Sequence, residues 1–175
     1  MALHLILGGA RSGKSAYAER LASESKLAVT YIATAQVYDD EFALRVAHHQ
    51  ARRPKNWEIV EAPFNLATSL EKYANKNLFV IVDCLTLWLA QCICPDCASP
   101  ETVSWEEERS ALLNIIPNLN SEVILVSNEV GMGIVPLGEI NRQFQDEQGR
   151  LNQAVATLVD RVSFIAAGLP LQLKG

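Results

Sequence analysis

Residues 8 to 15 read Gly8, Gly9, Ala10, Arg11, Ser12, Gly13, Lys14, Ser15, which completes the pattern G-x-x-x-x-G-K-[ST] directly behind the apolar run Leu3–Leu7. Gly8 and Gly13 allow the backbone to turn so that successive N–H groups surround a polyphosphate, and a helix beginning near Lys14 adds its positive dipole end. Lys14 supplies a mobile cation and Ser15 a hydroxyl for magnesium. The chemistry these residue types support is nucleotide binding followed by transfer of a phosphoryl or nucleotidyl group.

An acid is needed where the metal sits, and Phe79-Val80-Ile81-Val82-Asp83 is an apolar strand that ends in one. Asp83 is thus the natural metal partner of Ser15, alongside the plainer reading of a strand-end carboxylate capping the next helix. Asp39-Asp40-Glu41 opens a helix that carries Arg45, His48, His49 and Arg52. Helical spacing puts Arg45, His48 and Arg52 on one stripe and aligns His49 with the apolar Phe42 and Val46. A histidine flanked by cations is pushed toward its neutral, nucleophilic form. His48 is therefore the candidate to attack a nucleotide α-phosphate and release pyrophosphate, against the alternative of two solvated helix histidines. His49 is the candidate for packing or a fixed hydrogen bond.

Ser127 to Pro136 follows the strand Val123–Val126 and places polar groups and glycines at a strand's C-terminal end, the edge where open α/β sheets bind ligands. Arg142-Gln143-Phe144-Gln145-Asp146, with Gly149, Asn152 and Gln153, presents a polar helical face. Cys84, Cys92, Cys94 and Cys97 lack the paired C-x-x-C spacing of a structural zinc site and read as buried or loop thiols.

These groups need a scaffold, and the hydrophobic pattern supplies one. Near-continuous β-branched and apolar runs recur at Leu3–Leu7, Val29–Ile32, Trp57–Val60, Phe79–Val82, Val123–Val126 and Val162–Ala166. Helical patterns fall at Lys14–Glu24, Asp40–Arg52, Asn65–Ala74, Leu85–Cys94, Ser104–Ile115 and Leu137–Leu158, with loops at Pro95–Thr102 and Gly131–Pro136. Alternation of this kind predicts an α/β fold with a mostly parallel, doubly wound sheet covered by helices on both faces, and continuous rather than alternating runs fit strands buried on both sides. With the phosphate loop in place, the expected class is P-loop NTPase-like.

The chain's 175 residues fit one domain, expected to span 1–175, and 49% hydrophobic with 20% charged residues fits an ordinary globular protein. A net charge of −5 argues against nucleic acid as a partner. With neither a membrane-length apolar stretch nor a signal-peptide pattern, the expected compartment is the cytoplasm.

The chain closely resembles the bifunctional adenosylcobinamide kinase / adenosylcobinamide-phosphate guanylyltransferase family of cobalamin biosynthesis, over nearly its whole length. The resemblance rests on Gly8 to Ser15, Tyr31-Ile-Ala-Thr-Ala-Gln36, Asp39 to Glu41 with Arg45 and the pair His48-His49, Asn128-Glu-Val-Gly-Met-Gly-Ile-Val-Pro136, and Gly149 through Gln153. It implies phosphorylation of adenosylcobinamide by ATP or GTP, then transfer of GMP from GTP to the new phosphate, both with Mg2+. It also implies that His48 carries the guanylyl group. The implied nucleotide site comprises Gly8 to Ser15, Thr34, Ala35, Gln36, His49, Gln50, Ala51, Arg52, Glu61 and Asp83, and the implied assembly is a homotrimer. The Cys92 to Cys97 segment has no counterpart in that family. Competing expectations from the motifs are a simple small-molecule kinase using Gly8 to Ser15 and Asp83, and a non-catalytic nucleotide switch.

Overall fold

The computed structural model describes residues 2–36, 54–74, 77–94 and 104–175. Within them the chain runs β1 (Leu3–Gly8), α1 (Lys14–Ser25), β2 (Ala28–Ala33), β3 (Glu58–Glu61), α2 (Leu66–Tyr73), β4 (Leu78–Asp83), α3 (Leu85–Ile93) and α4 (Trp105–Ile115). A 3-10 turn (Ile116–Asn118), β5 (Glu122–Val126), α5 (Glu139–Leu158), β6 (Arg161–Ala166) and β7 (Leu169–Lys174) follow. The seven strands form one sheet in the order β3-β2-β4-β5-β1-β6-β7. All neighbours are parallel except β6 and β7.

Side chains alternate across the sheet, and this divides the interior into two cores. Leu5, Val80, Val82, Val123 and Leu125 face α2 to α5, where Leu70, Trp88, Leu89, Leu112, Leu151 and Val155 cover them. Ile6, Tyr31, Ile81, Ile124 and Val126 face α1 through Ala18 and Ala22. Helices lie on both faces, as the sequence pattern requires. The small alanines let α1 approach the sheet closely, which holds its first turn, and with it Lys14 and Ser15, over the strand ends.

Local signals explain the helix starts. Ser104 accepts the Glu107 N–H at its Oγ (3.4 Å) with Glu106, Glu107 and Glu108 in the first turn, so the cap and the dipole act together. Cys84 caps α3 through its sulfur, which accepts the Leu87 N–H at 3.5 Å. The Trp88 and Trp105 rings meet edge to face at 5.2 Å, and their indole N–H groups bond Glu108 and Glu147, which ties α3, α4 and α5 together.

The element boundaries depart from the sequence expectation in small ways. Strand β3 begins at Glu58 rather than Trp57, whose ring is instead buried against Tyr31. Helix α5 begins at Glu139 rather than Leu137, because Gly138 adopts an extended backbone. The expected helix Asp40–Arg52 and the whole of the loop Pro95–Thr102 lie outside the described residues. The strand not anticipated among the described residues is β7, which returns antiparallel to β6 through Ala167 (φ 51°) and Gly168 (φ 79°), a pair of left-handed residues suited to a two-residue hairpin turn.

Candidate active site at the carboxyl ends of the strands

The phosphate loop leaves β1 at Gly8, whose φ of 153° and close surroundings exclude any side chain: a Cβ there would fall 2.5 Å from the Ile165 carbonyl oxygen. Gly13 (φ 101°) ends the loop, and a Cβ on it would approach the Gly168 Cα at 3.2 Å. Gly168 lies in the β6–β7 turn and donates its N–H to the Ser12 carbonyl at 2.8 Å. The unanticipated hairpin thus buttresses the loop from behind. At the other flank the Glu129 N–H bonds the Gly8 carbonyl at 3.1 Å, fixing the segment after β5 to the same loop.

Inside the loop Lys14 is buried, and its ammonium donates to the Gly9 carbonyl at 2.6 Å. Burial pushes its pKa down, while the neighbouring Cys84 and Asp83 pull it back up. The Ser12 hydroxyl oxygen is buried with no hydrogen-bond partner among the described residues. A buried ammonium resting on a loop carbonyl beside an unsatisfied hydroxyl is a cradle short of an acceptor, and the oxygens of a polyphosphate supply that.

Asp83 stands at the end of β4, two strands from β1, with β5 between them. Residues Ile81 and Asp83 project to the same sheet face, the one covered by α1. The carboxylate therefore opens toward the helix whose first turn carries Lys14 and Ser15. Its Oδ2 accepts the Tyr31 hydroxyl at 2.5 Å. The next residue is held just as firmly: Thr34 Oγ1 accepts the Cys84 N–H at 2.8 Å and donates to the Cys84 carbonyl at 2.7 Å. Burial and the Asp83 charge push the Cys84 thiol up to about 12, so it stays neutral and serves as a cap rather than a nucleophile.

Two buried polar side chains organise the rim. Gln91, 2% exposed on α3, donates to the Thr34 carbonyl (2.7 Å) and the Pro63 carbonyl (3.1 Å) and accepts the Gln36 N–H (3.0 Å). It binds the ends of β2 and β3 into one unit. On α5, Gln148 and Asn152 meet Ser127 in a buried triad, with Ser127 Oγ donating to Asn152 Oδ1 at 2.7 Å and Gln148 Nε2 donating to Ser127 Oγ at 2.9 Å. Asn152 Nδ2 reaches the Asn128 carbonyl at 3.0 Å, so residues 128–130 are tied to the helix behind them.

Of the residues singled out in the sequence, the structure brings Gly8 to Ser15, Asp83 and Thr34 to Gln36 to one edge. Register aligns Glu61, Ala33 and Asp83 across β3, β2 and β4, which leaves Glu61 exposed on the far flank, four strand spacings or about 19 Å from β1. Thr34 is 0% exposed and all of its polar groups are engaged within the protein, so it shapes the floor of the site and presents no donor to a ligand. His48, His49, Gln50, Ala51, Arg52 and Arg45 lie outside the described residues, as does Cys97. Among the described residues no group of three or more His, Cys, Asp or Glu side chains is arranged to hold a metal ion. Ser15 and Asp83 instead offer the hard oxygens that suit magnesium completed by phosphate and water. Gln91 and Gln148 escaped the sequence reading, and Tyr31 entered it only as the first residue of the motif Tyr31 to Gln36, with no role of its own. Gln91 had a visible signal, a lone amide in the apolar helix Leu85–Ile93, whereas Tyr31 looked like one more residue of a buried strand.

The chain is similar to known proteins over nearly its whole length. The family model described as cobinamide kinase / cobinamide phosphate guanyltransferase matches residues 4–173. The chain is 53% identical over 171 residues to the bifunctional adenosylcobalamin biosynthesis protein CobP of Pseudomonas aeruginosa, covering 98% of this chain and 96% of that one. It is 35% identical over 179 residues to the protein CobU of Escherichia coli, covering 97% and 98%. Among solved structures it resembles an ATPase of a bacterial type III secretion system (TM-score 0.51, 14% identity), covering 98% of this chain and 56% of that one. It also resembles the RadB recombinase (TM-score 0.51, 17% identity), covering 93% and 73%. These last two share the fold alone, that of the P-loop NTPases. With a phosphate loop, an opposed strand-end acid and relatives matched from end to end, the chain belongs to the cobinamide kinase / cobinamide phosphate guanyltransferase family, enzymes of cobalamin biosynthesis.

Proposed function

We propose that this protein, acting as one domain over residues 1–175, phosphorylates adenosylcobinamide with ATP or GTP. It then transfers GMP from GTP to adenosylcobinamide-phosphate, giving adenosylcobinamide-GDP and pyrophosphate. The observation that carries the reading is the buried Lys14 within the Gly8 to Ser15 loop, facing the strand-end Asp83. Backbone N–H groups of the loop and Lys14 hold the triphosphate, and in the kinase step they offset charge on the transferred γ-phosphoryl group. Ser15 and Asp83 hold Mg2+, which neutralises charge on the phosphate oxygens when bound. Ala35 and Gln36, with Gln91 behind them, line the approach to the nucleotide, and Glu61, His49, Gln50, Ala51 and Arg52 complete its surroundings.

In the second reaction a neutral imidazole nitrogen of His48 attacks the α-phosphorus. A P–N bond forms, the α–β P–O bond breaks, and pyrophosphate leaves with the electron pair. An oxygen of the corrinoid phosphate then attacks the same phosphorus and displaces the imidazole. Support comes from the family and from the spacing of Arg45, His48 and Arg52, which on a helix would share one stripe and let the arginines favour the neutral ring and offset charge on the reacting oxygens.

Intact-protein mass after incubation with Mg2+ and GTP tests the covalent step. The expected result is a gain of one GMP, lost on mild acid treatment and absent in His48→Ala. A wild-type protein that turns over adenosylcobinamide to its phosphate yet never gains GMP or releases pyrophosphate would be a simple kinase.

A further inference from the structure

We propose that Tyr31 is the positioning residue for the Asp83 carboxylate, and through it for the cation bound with the nucleotide. Tyr31 sits within β2, 1% exposed, in register with Ile81 while Ala33 is in register with Asp83. Side chains two residues apart share a sheet face, so the phenol projects to the face of Asp83 but starts one pleat behind it and leans forward along the strand. It reaches Oδ2 at 2.5 Å, in the short range of charge-assisted O–H···O⁻ bonds. The Trp57 ring stacks on it with planes 24° apart, and this backing leaves the phenol little room to swing away.

Three consequences meet at one carboxylate. Oδ2 is committed to Tyr31, the following peptide is locked by both hydrogen bonds of Thr34, and the plane of the carboxyl group is thereby fixed with Oδ1 as its remaining acceptor. Outer partners that orient a ligand in this way commonly govern metal affinity as strongly as packing governs stability. Phe at position 31 would keep the ring, its burial and the Trp57 stacking, and would remove only the tether. Asp83 is part-exposed, so water can satisfy the oxygen released.

This inference rests on the reading that Ser15 and Asp83 hold Mg2+ beside the triphosphate. The test is binding of the nonhydrolysable analogue guanosine 5′-(β,γ-imido)triphosphate to wild type, Tyr31→Phe, Asp83→Asn and the double variant, first in EDTA and then across a Mg2+ titration. Tyr31→Phe is expected to bind the analogue in EDTA as wild type does, while needing about tenfold more Mg2+ for half-maximal enhancement. In the Asp83→Asn background the same change is expected to have no further effect on the Mg2+ requirement. An unchanged Mg2+ half-saturation in Tyr31→Phe, or a loss of affinity equal with and without Mg2+, overturns the positioning role alone. A wild-type protein whose binding ignores Mg2+ overturns the metal reading and this inference together. If Tyr31→Phe fails to fold, full additivity of the Asp83→Asn effect in a Trp57→Phe protein, where the phenol is loosened but present, overturns the role.

Discussion

Lys14 and Asp83 are each held by a group that does no chemistry. Lys14 shows this most directly. Its ammonium is buried, its pKa is depressed by that burial, and its present partner is a carbonyl of its own loop. Exchange of that carbonyl for a phosphate oxygen costs little, since one charged hydrogen bond replaces another, whereas removal of the ammonium leaves phosphate charge uncompensated in a partly desolvated loop. Lys14→Ala is therefore expected to weaken GTP binding by about 2–3 kcal/mol, on the order of a hundredfold, in a calorimetric titration. Lys14→Arg is expected to recover little, because a planar guanidinium does not fit a space shaped for a point charge. An alanine variant with wild-type affinity would mean that the triphosphate lies elsewhere.

At the scale of elements, the hairpin β6–β7 is joined to β1 by a buried polar relay that couples stability to pH. His4 Nε2 and Ser163 Oγ are 2.8 Å apart, and Ser163 in turn donates to Gln172 Oε1 at 3.1 Å, so the imidazole donates from Nε2. Burial first, then the Arg161 charge, push the His4 pKa down to about 4 from an ordinary 6.5. The unfolded chain therefore takes up this proton first. The contribution of His4 is fully present above pH 6.5 and is lost as pH falls from there toward 4. Between pH 7 and pH 4.5 wild type is expected to lose about 2 kcal/mol through this group in urea unfolding, and His4→Gln to show a correspondingly flatter profile. Equal pH profiles for the two proteins would show that His4 is protonated without penalty. Gly168 of the same hairpin bonds the Ser12 carbonyl, so the hairpin that carries this relay also supports the phosphate loop.

On the scale of the whole molecule, the described residues expose large apolar side chains in two places. Ile134 and Leu137 are each 97% exposed and Met132 78%, in the segment between β5 and α5. Leu169, Leu171 and Leu173 are exposed on β7, an edge strand. Edges and apolar patches of this kind invite association. The family resemblance implies a homotrimer, and these two surfaces are the ones such an assembly would cover. The expected outcome is a trimer in light scattering, with Leu169→Lys combined with Leu171→Lys shifting it toward monomer while the thermal midpoint of the monomer stays measurable. A monomeric wild-type protein would assign these leucines to another partner. No helix among the described residues is long and apolar enough to cross a membrane.

What the sequence determined by itself was everything carried by local spacing. The glycine-lysine-serine pattern, the apolar run closing on Asp83 and the strand and helix periods are readable because the physics behind each acts within a few residues. The antiparallel β7 was within reach too, since Ala167-Gly168 precedes the alternation Leu169, Leu171, Leu173, but an edge strand without a buried face gives a weaker signal than a central one. Tertiary structure alone decided the rest. The insertion of β5 between β1 and β4, the tether from Tyr31 to Asp83, the use of Thr34 to lock Cys84 rather than to meet a ligand, and the seating of Gly168 against the phosphate loop all join residues more than 40 positions apart in the chain. Such pairings depend on strand order and register, which arise from closing long loops and burying two core faces at once, and no short window of sequence contains them.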